Sequence, residues 1–338
     1  IQYMSPGTIS NKQLATMWRR VLRIWPTWLL ARVDRVNRLI PGWRVHSIGT
    51  NSQHDRDIHN LLDRYAPRLK FTEAEEKFGE QCLRKMRIDP GKPFVCLVVR
   101  DSAYLASHDT NEDNSSHNYR DSDVRNCALA AEELAARGYY VIRMGAKVNA
   151  AMSSSHPAII DYAANGMRTD FMDIYLGAKC TFFMSTGTGW DAVPAWLFRR
   201  PGIFFNLVPF GYLPTFSNRF LLSSKKHVLI NSDSSHVLLH SQIFDAGIGF
   251  YLQQSQYDSN FIKLEENTAE EICDLAVEMA ERIDGNWDPA QEDEDLQRKF
   301  WGIYKRNACD ARAENPLHGE LRARFGAHCL RGNSIWVQ

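Results

Sequence analysis

The sequence predicts an α/β domain built on a mostly parallel sheet. Two observations carry that prediction. Apolar runs of strand length alternate with amphipathic helical segments, and each run is followed by polar or glycine-containing residues. Phe94-Val-Cys-Leu-Val-Val99 has no polar residue, as a strand buried on both faces requires.

The elements follow in order. Leu14, Met17, Trp18, Val21, Leu22 and Trp25 recur at helical spacing over residues 11–40. Pro26 divides this run into two helices, the second from Thr27 to Leu39. Pro41-Gly42 closes it, and Trp43–Ile48 reads as a strand. Residues 49–70 are polar and read as a linker. Thr72-Glu-Ala-Glu75 is a capping box that opens a helix to Met86. After the strand at 94–99, residues 101–122 are a polar loop, long for a compact domain and so a candidate for function. Asp123–Arg137 is a helix closed by Gly138. Tyr139–Met144 is the next strand, and Ala158–Asp161 a short one. Thr169 or Asp170 caps a helix to Ala178. A strand at Thr181–Met184, a helix at Trp190–Phe198 and a strand at Gly202–Asn206 follow. Residues 207–260 read as irregular. A helix follows Asn267-Thr268, and the segment from Gln291 is helical and charged.

The chain has 338 residues, 44% of them apolar and 24% charged, the composition of a globular protein. It has no apolar run near the ~18 residues that a membrane span needs. Its seven cysteines show no C-x-x-C spacing and read as reduced thiols of a cytosolic protein, small core hydrophobes. The zero net charge conceals an asymmetry. Residues 1–70 hold 12 lysines and arginines against 4 acidic side chains, so the remainder holds 28 against 36. Such a basic segment suits an anionic partner. Its Trp-bearing helices either lie on a membrane surface or pack on their own domain with a solvated basic face.

In an open α/β sheet, ligands bind beyond the carboxyl ends of the strands. Those ends supply Arg100 and Asp101, then Arg143 and Gly145, then Asp161, then Ser185-Thr186-Gly187-Thr188-Gly189, then Asn206. Arginine binds phosphate bidentately, and a Ser/Thr/Gly loop at a helix start offers N–H donors. The set fits a ligand carrying phosphate. The segment His117-Asn-Tyr119-Arg120-Asp-Ser-Asp123 adds groups that could hold a substrate or act as a base, although Asp123 could equally cap the next helix. P-loop, H-E-x-x-H and G-x-S-x-G signatures are absent. The D-x-D triplets Asp55-Arg-Asp57 and Asp121-Ser-Asp123 follow no apolar strand, and Asp293-Glu-Asp295 reads as a solvated helix face. No metal and no cofactor are therefore expected.

Taken in order, Phe94–Tyr104, His117–Asp123, Gly138–Gly145, Ile160–Tyr162, Asp170–Leu176 and the loop through Pro201 and Asn206 resemble a family of bacterial glycosyltransferases found with surface-polysaccharide genes. The resemblance spans about residues 11–300. More loosely, the same order resembles the Rossmann-like donor-binding half of GT-B glycosyltransferases. It implies a GT-B-type C-terminal domain at 71–290, preceded by a partial N-terminal, acceptor-side helical or α/β segment at 1–70 and followed by a helical tail at 291–338. A whole acceptor domain does not fit in 70 residues, so part of the N-terminal domain is expected to be missing from the chain. By resemblance, Arg100 would approach the phosphates of a nucleotide-sugar donor, Ser185–Gly189 would cradle its diphosphate, and Arg143 and Gly145 would lie near the nucleotide. Tyr119, Arg120, Asp123, Asp161 and Asn206 join them by position and chemistry. Asp101 and His117 are the candidate catalytic groups.

The expected activity is metal-independent transfer of a sugar from a nucleotide-activated donor to a glycan or lipid-linked acceptor, in bacterial surface-polysaccharide biosynthesis. The expected partners are that donor and acceptor, without nucleic acid. The expected location is cytoplasmic, peripheral to the inner membrane if the basic helices at 11–40 touch it. A non-catalytic sugar-nucleotide or polyanion-binding module, and a sugar-nucleotide hydrolase or epimerase, are the alternatives.

Overall fold

Seven parallel strands form the main sheet of the computed structural model, which describes residues 2–4, 9–46, 56–101, 114–152, 154–230, 234–308 and 317–333. We label these strands β1 (Phe94–Val98), β2 (Tyr140–Met144), β3 (Ile159–Ile160), β4 (Phe182–Ser185), β5 (Gly202–Leu207), β6 (Phe220–Ser224) and β7 (Arg324–Phe325). Their spatial order is β7-β6-β5-β4-β1-β2-β3, and every neighbouring pair is parallel. This is the doubly wound, Rossmann-like order, with the chain reversing direction between β1 and β4.

The sheet is buried on both faces, as the unbroken apolar runs require. Alternation along β1 sends Phe94, Cys96 and Val98 into one core and Val95 and Leu97 into the other. Helices α4 (Ala128–Ala136) and α6 (Ala269–Asp284) cover the second face through Ala131, Leu134, Ile272 and Leu275. Helices α3 (Glu73–Lys85), α5 (Asp170–Lys179) and α7 (Gln291–Ala308) contribute Leu83, Leu176 and Phe300 to the first. The Thr72 capping box forms with Glu75, and Thr169 caps α5 by accepting from the Met172 amide. Gly138 follows α4 at φ +91°, the left-handed geometry expected past a helix end.

Several expectations need correction. Residues 43–46 form a 3₁₀ turn rather than the start of a strand. Residues 207–260 are not irregular, because they contain β6, the helices His240–Asp245 and Gln254–Ser259, and two strands of a small antiparallel sheet completed by Ile262–Glu265. The segment after 291 supplies β7 to the sheet edge as well as α7. Asp293 is not on a solvated face. It is buried, accepts from the Ala290 amide at 3.0 Å and lies 3.5 Å from Arg331.

The basic segment divides in two. Helix α1 (Lys12–Val21) docks on α5, where Met17 is buried with Leu69, Ile174 and Val193. Arg20 grips Glu75 with both terminal guanidinium nitrogens, and this pairing holds the Glu75 carboxyl down at about 2. Helix α2 (Thr27–Asn37) buries no side chain. Among the described residues, no helix is long and apolar enough to cross a membrane. Cys96, Cys127, Cys180 and Cys329 are buried, and Cys82 and Cys273 are partly buried. Cys309 and Asp55 lie outside the described residues.

Candidate functional site

The predicted residues fall into three groups around the carboxyl edge of the sheet, and one of them borders a cleft. That cleft has a volume of about 360 Å³ and is lined by Tyr119, Arg120, Thr186, Gly187, Thr188 and Asp191, with Arg56, Trp196, Tyr212 and Phe216 as further walls. It lies beside the β1/β4 reversal, where an open sheet splays its loops apart. A wider depression of about 540 Å³ is bordered by Asp63, Arg199 and Arg219. It sits at the amino-terminal ends of β5 and β6, away from the carboxyl edge.

The β4 loop is built by a residue the sequence reading missed. Asp191 is buried beneath it and accepts from Ser185 Oγ at 2.6 Å, Thr188 Oγ1 at 2.9 Å and the Thr188 amide at 2.6 Å. Burial pushes the Asp191 carboxyl up to about 6, although these hydrogen bonds oppose the rise. The Gly187 amide donates to Ser185 Oγ at 3.0 Å, and the Thr186 amide to Val98 O at 3.3 Å. Three of the amides expected to cradle an anion are therefore committed inside the protein. Gly189 instead opens the following helix, which runs as a 3₁₀ turn and then a wide turn over Ala192–Leu197. The predicted cradle becomes a rigid wall whose Thr186 and Thr188 side chains border the cleft.

Positive charge comes from the 3₁₀ segment Asn114–Arg120. Arg120 donates to Gly187 O at 2.6 Å, which ties this segment to the β4 loop. Burial, and then the neighbouring Arg100, lower the Arg120 pKa. Arg100 pairs with Asp121 at 3.3 Å, and its amide donates to Thr186 Oγ1 at 2.8 Å. Lys225, just after β6, donates to Tyr119 O at 3.2 Å and also to Asp121 O. It was missed because β6 lay inside the stretch read as irregular. Arg100, Arg120 and Lys225 thus gather around the 119–121 turn, where the Asp121 carboxylate, whose pKa burial raises, is joined by Asp191 near Arg120 and Glu266 near Lys225. Tyr119 is buried, with its ring 5.4 Å from that of Tyr257. Arg56 lies over the Tyr212 ring at 4.9 Å.

The second group is structural. Arg143 is 1% exposed and pairs with Asp161 at 3.1 Å. Asp161 also accepts from the Met152 amide at 2.7 Å, and Arg143 donates to Ala150 O. Together they pin the loop after β2, where a Cβ on Gly145 would come within 2.8 Å of Val148. Neither Arg143 nor Asp161 lines the cleft. Asp101, just after β1, accepts from the Asn149 amide of that loop at 2.9 Å.

The third group is a buried polar clasp. Asn206, at φ +53°, gives its amide to Asn267 Oδ1 and accepts the Asn267 amide on its own Oδ1, at 3.0 and 2.6 Å. Glu266 accepts from Asn206 Nδ2, from the Asp123 amide and from Asn126. Asp123 accepts from the Arg125 amide at 2.9 Å and pairs with the Arg125 side chain. It is the cap of the following helical turn, and both residues are thereby held outside the cleft lining.

The two candidate catalytic groups do not meet. The His117 side chain is exposed, with its ring 6.3 Å from Tyr119, while Asp101 faces the loop after β2. Ser102–Tyr104, singled out in the sequence, lie outside the described residues. Among the described residues, no three His, Cys, Asp or Glu side chains are grouped so as to hold a metal ion.

No family model matches this chain, and no curated protein matches it. Among solved structures, the chain is similar to ADP-heptose LPS heptosyltransferase II from E. coli. The identity is 16%, and the TM-score is 0.33 over 49% of this chain and 46% of that one. The matched region therefore spans less than half the length of that protein.

Proposed function

We propose that the chain binds a nucleotide-activated sugar in the cleft beside the β1/β4 reversal and transfers the sugar to a glycan or lipid-linked acceptor. One observation carries this reading. Arg120 joins the β4 loop at the reversal point of a doubly wound sheet, and it lines one cleft with Thr186, Thr188, Tyr119, Tyr212 and Trp196. The aromatic walls suit a base or sugar face, and the guanidinium and hydroxyls suit a diphosphate. Negative charge grows on that diphosphate as it leaves, and Arg120, with Arg100 close behind it, is fixed in place to stabilise the charge. The resemblance to surface-polysaccharide glycosyltransferases supports the same class.

Arg100 thus acts at one remove. Its side chain is held by Asp121 and its amide by Thr186, so it braces the wall and raises the local positive potential. No base is assigned. Asp191 borders the cleft but is enclosed by three donors, and that enclosure favours a second reading, a sugar-nucleotide-binding module without turnover. Titration of uridine, guanosine and adenosine diphosphates by calorimetry, against wild type and Arg120→Ala, tests the common part. Binding that Arg120→Ala weakens by tenfold or more is expected. No binding of any diphosphate by wild type would refute both readings. Transfer assays with matched nucleotide sugars then separate them.

A further inference from the structure

Helix α2 and the turn after it carry apolar side chains that are exposed among the described residues. Trp28 is 68% exposed, Leu39 82% and Val45 84%, and Val33, Val36 and Ile40 are exposed as well. Isolated exposed apolar residues are ordinary, but six between Trp28 and Val45 form a patch. Val33, Val36 and Ile40 share one side of the helix by their spacing, and Trp28, Arg32, Arg35 and Leu39 the adjoining side. The charges here are almost all of one sign. Arg32, Arg35, Arg38 and Arg44 stand against Asp34 alone, which pairs with Arg38 at 2.9 Å. Arg32 and Arg35 are exposed and pair with no acidic group among the described residues. Trp43 lies under Arg38 and Arg44, at 5.3 and 5.8 Å, and holds both beside the patch.

The partner must be apolar and anionic at once. A second copy of this face would set arginine against arginine across a two-fold axis. An anionic bilayer offers both properties, phosphates above acyl chains. We propose that α2 and the turn to Val45 dock on an anionic phospholipid bilayer. Trp28, Leu39 and Ile40 enter the boundary between headgroups and acyl chains, and Arg32 and Arg35 pair with lipid phosphates. The surface is narrower than the whole basic segment, since α1 is spent on α5. The proposal is independent of the sugar-transfer reading.

Flotation of the full chain with phosphatidylcholine vesicles, with and without phosphatidylglycerol, tests it. The wild type is expected to float only with phosphatidylglycerol at low salt, and to be released at high salt. Each arginine at an anionic surface strengthens partitioning roughly fivefold, so Arg32→Gln with Arg35→Gln should weaken it on the order of 25-fold. Trp28→Ser with Leu39→Ser should weaken it at least as much. Both double variants should keep the wild-type circular dichroism and melting temperature, because α2 buries no side chain. The proposal is overturned if wild type fails to float at low salt, or if either variant floats like wild type. It is equally overturned if Trp28→Ser with Leu39→Ser dissociates a dimer seen by sedimentation, which would assign the patch to a second copy.

Discussion

The amide of Arg100 donates to the hydroxyl of Thr186 at 2.8 Å, across the gap where β1 and β4 part. This bond closes the reversal point of the sheet with a side chain where the strand ladder stops. It fixes the start of the polar loop after β1 against the wall of the cleft. Thr186→Val keeps the shape but removes the acceptor, leaving the Arg100 amide unsatisfied in a half-buried site. The expected cost is about 1–3 kcal/mol of stability, measured by urea denaturation. Nucleoside-diphosphate affinity should fall with it, whereas Thr186→Ser should restore both.

The sheet was legible because both faces of β1, β2, β4 and β5 are covered, which leaves mainly apolar runs in the sequence. β6 carries two serines in Phe-Leu-Leu-Ser-Ser and was missed. Ser223 is tolerated in the interior because Asn267 Oδ1 accepts from its Oγ at 2.6 Å, and Asn267 also donates to the main-chain carbonyl of Ser224 at 3.1 Å. β7 is two residues long and has no periodicity to detect. At the site, polar residue types at strand ends located the edge correctly but not their orientation. Arg143 lies near the end of β2 and Arg100 just past β1, yet one is sealed into a buried ion pair and the other faces the 119–121 turn. Local sequence carries no sign of Asp161 closing on Arg143 from a neighbouring strand. Asp191 did leave a signal, an acidic residue three positions after Thr188, the spacing of a capping box.

Gly187 sits at φ +82° with its carbonyl under Arg120. A Cβ there would meet only Leu207, at 3.5 Å, and the end of the Arg120 side chain, at 3.9 Å, so the constraint is the backbone and not space. Gly187→Ala is expected to cost about 1–2 kcal/mol and to weaken diphosphate binding by shifting the Arg120 contact. A Cβ on Gly189, two residues on, would meet nothing within 4 Å, and the φ there is not positive. Gly189→Ala should stay within about 0.5 kcal/mol of wild type. Denaturation of the two variants side by side separates backbone strain from simple crowding.

Arg143 and Arg120 should respond oppositely to substitution. Removing Arg143 leaves the partly buried Asp161 held by the Met152 amide without its cation, at a cost of about 1–3 kcal/mol. Arg143→Met should therefore lower the melting temperature sharply. Whatever fraction stays folded should bind nucleoside diphosphates as wild type does, since Arg143 lies outside the cleft lining. Calorimetry at low temperature, with the active fraction taken from the stoichiometry, checks this. A loss of affinity comparable to that of Arg120→Ala would return Arg143 to the site.

Three buried histidines predict acid lability. Burial lowers His227 and His318 to about 4 and His240 to about 3, so the fold holds them neutral. In the unfolded chain they take up a proton near 6.5. Between pH 6.5 and 4 the unfolded state binds more protons, so stability is complete above 6.5 and drains as pH falls through that window. Each histidine contributes on the order of 3 kcal/mol to that loss. Asp191 works the other way. Its folded value of about 6 exceeds the ordinary carboxylate range, so its protonation favours the fold as pH falls from 6 toward 4. One carboxyl offsets only part of three imidazoles, so the net slope should favour unfolding in acid. His240 stacks on Phe210 at 4.4 Å, and His240→Phe should retain that contact while removing one proton from the linkage. Urea denaturation at pH 7 and pH 5 should then show a smaller loss of stability for His240→Phe than for wild type. An equal loss would mean that His240 is charged, or solvated, in the folded protein.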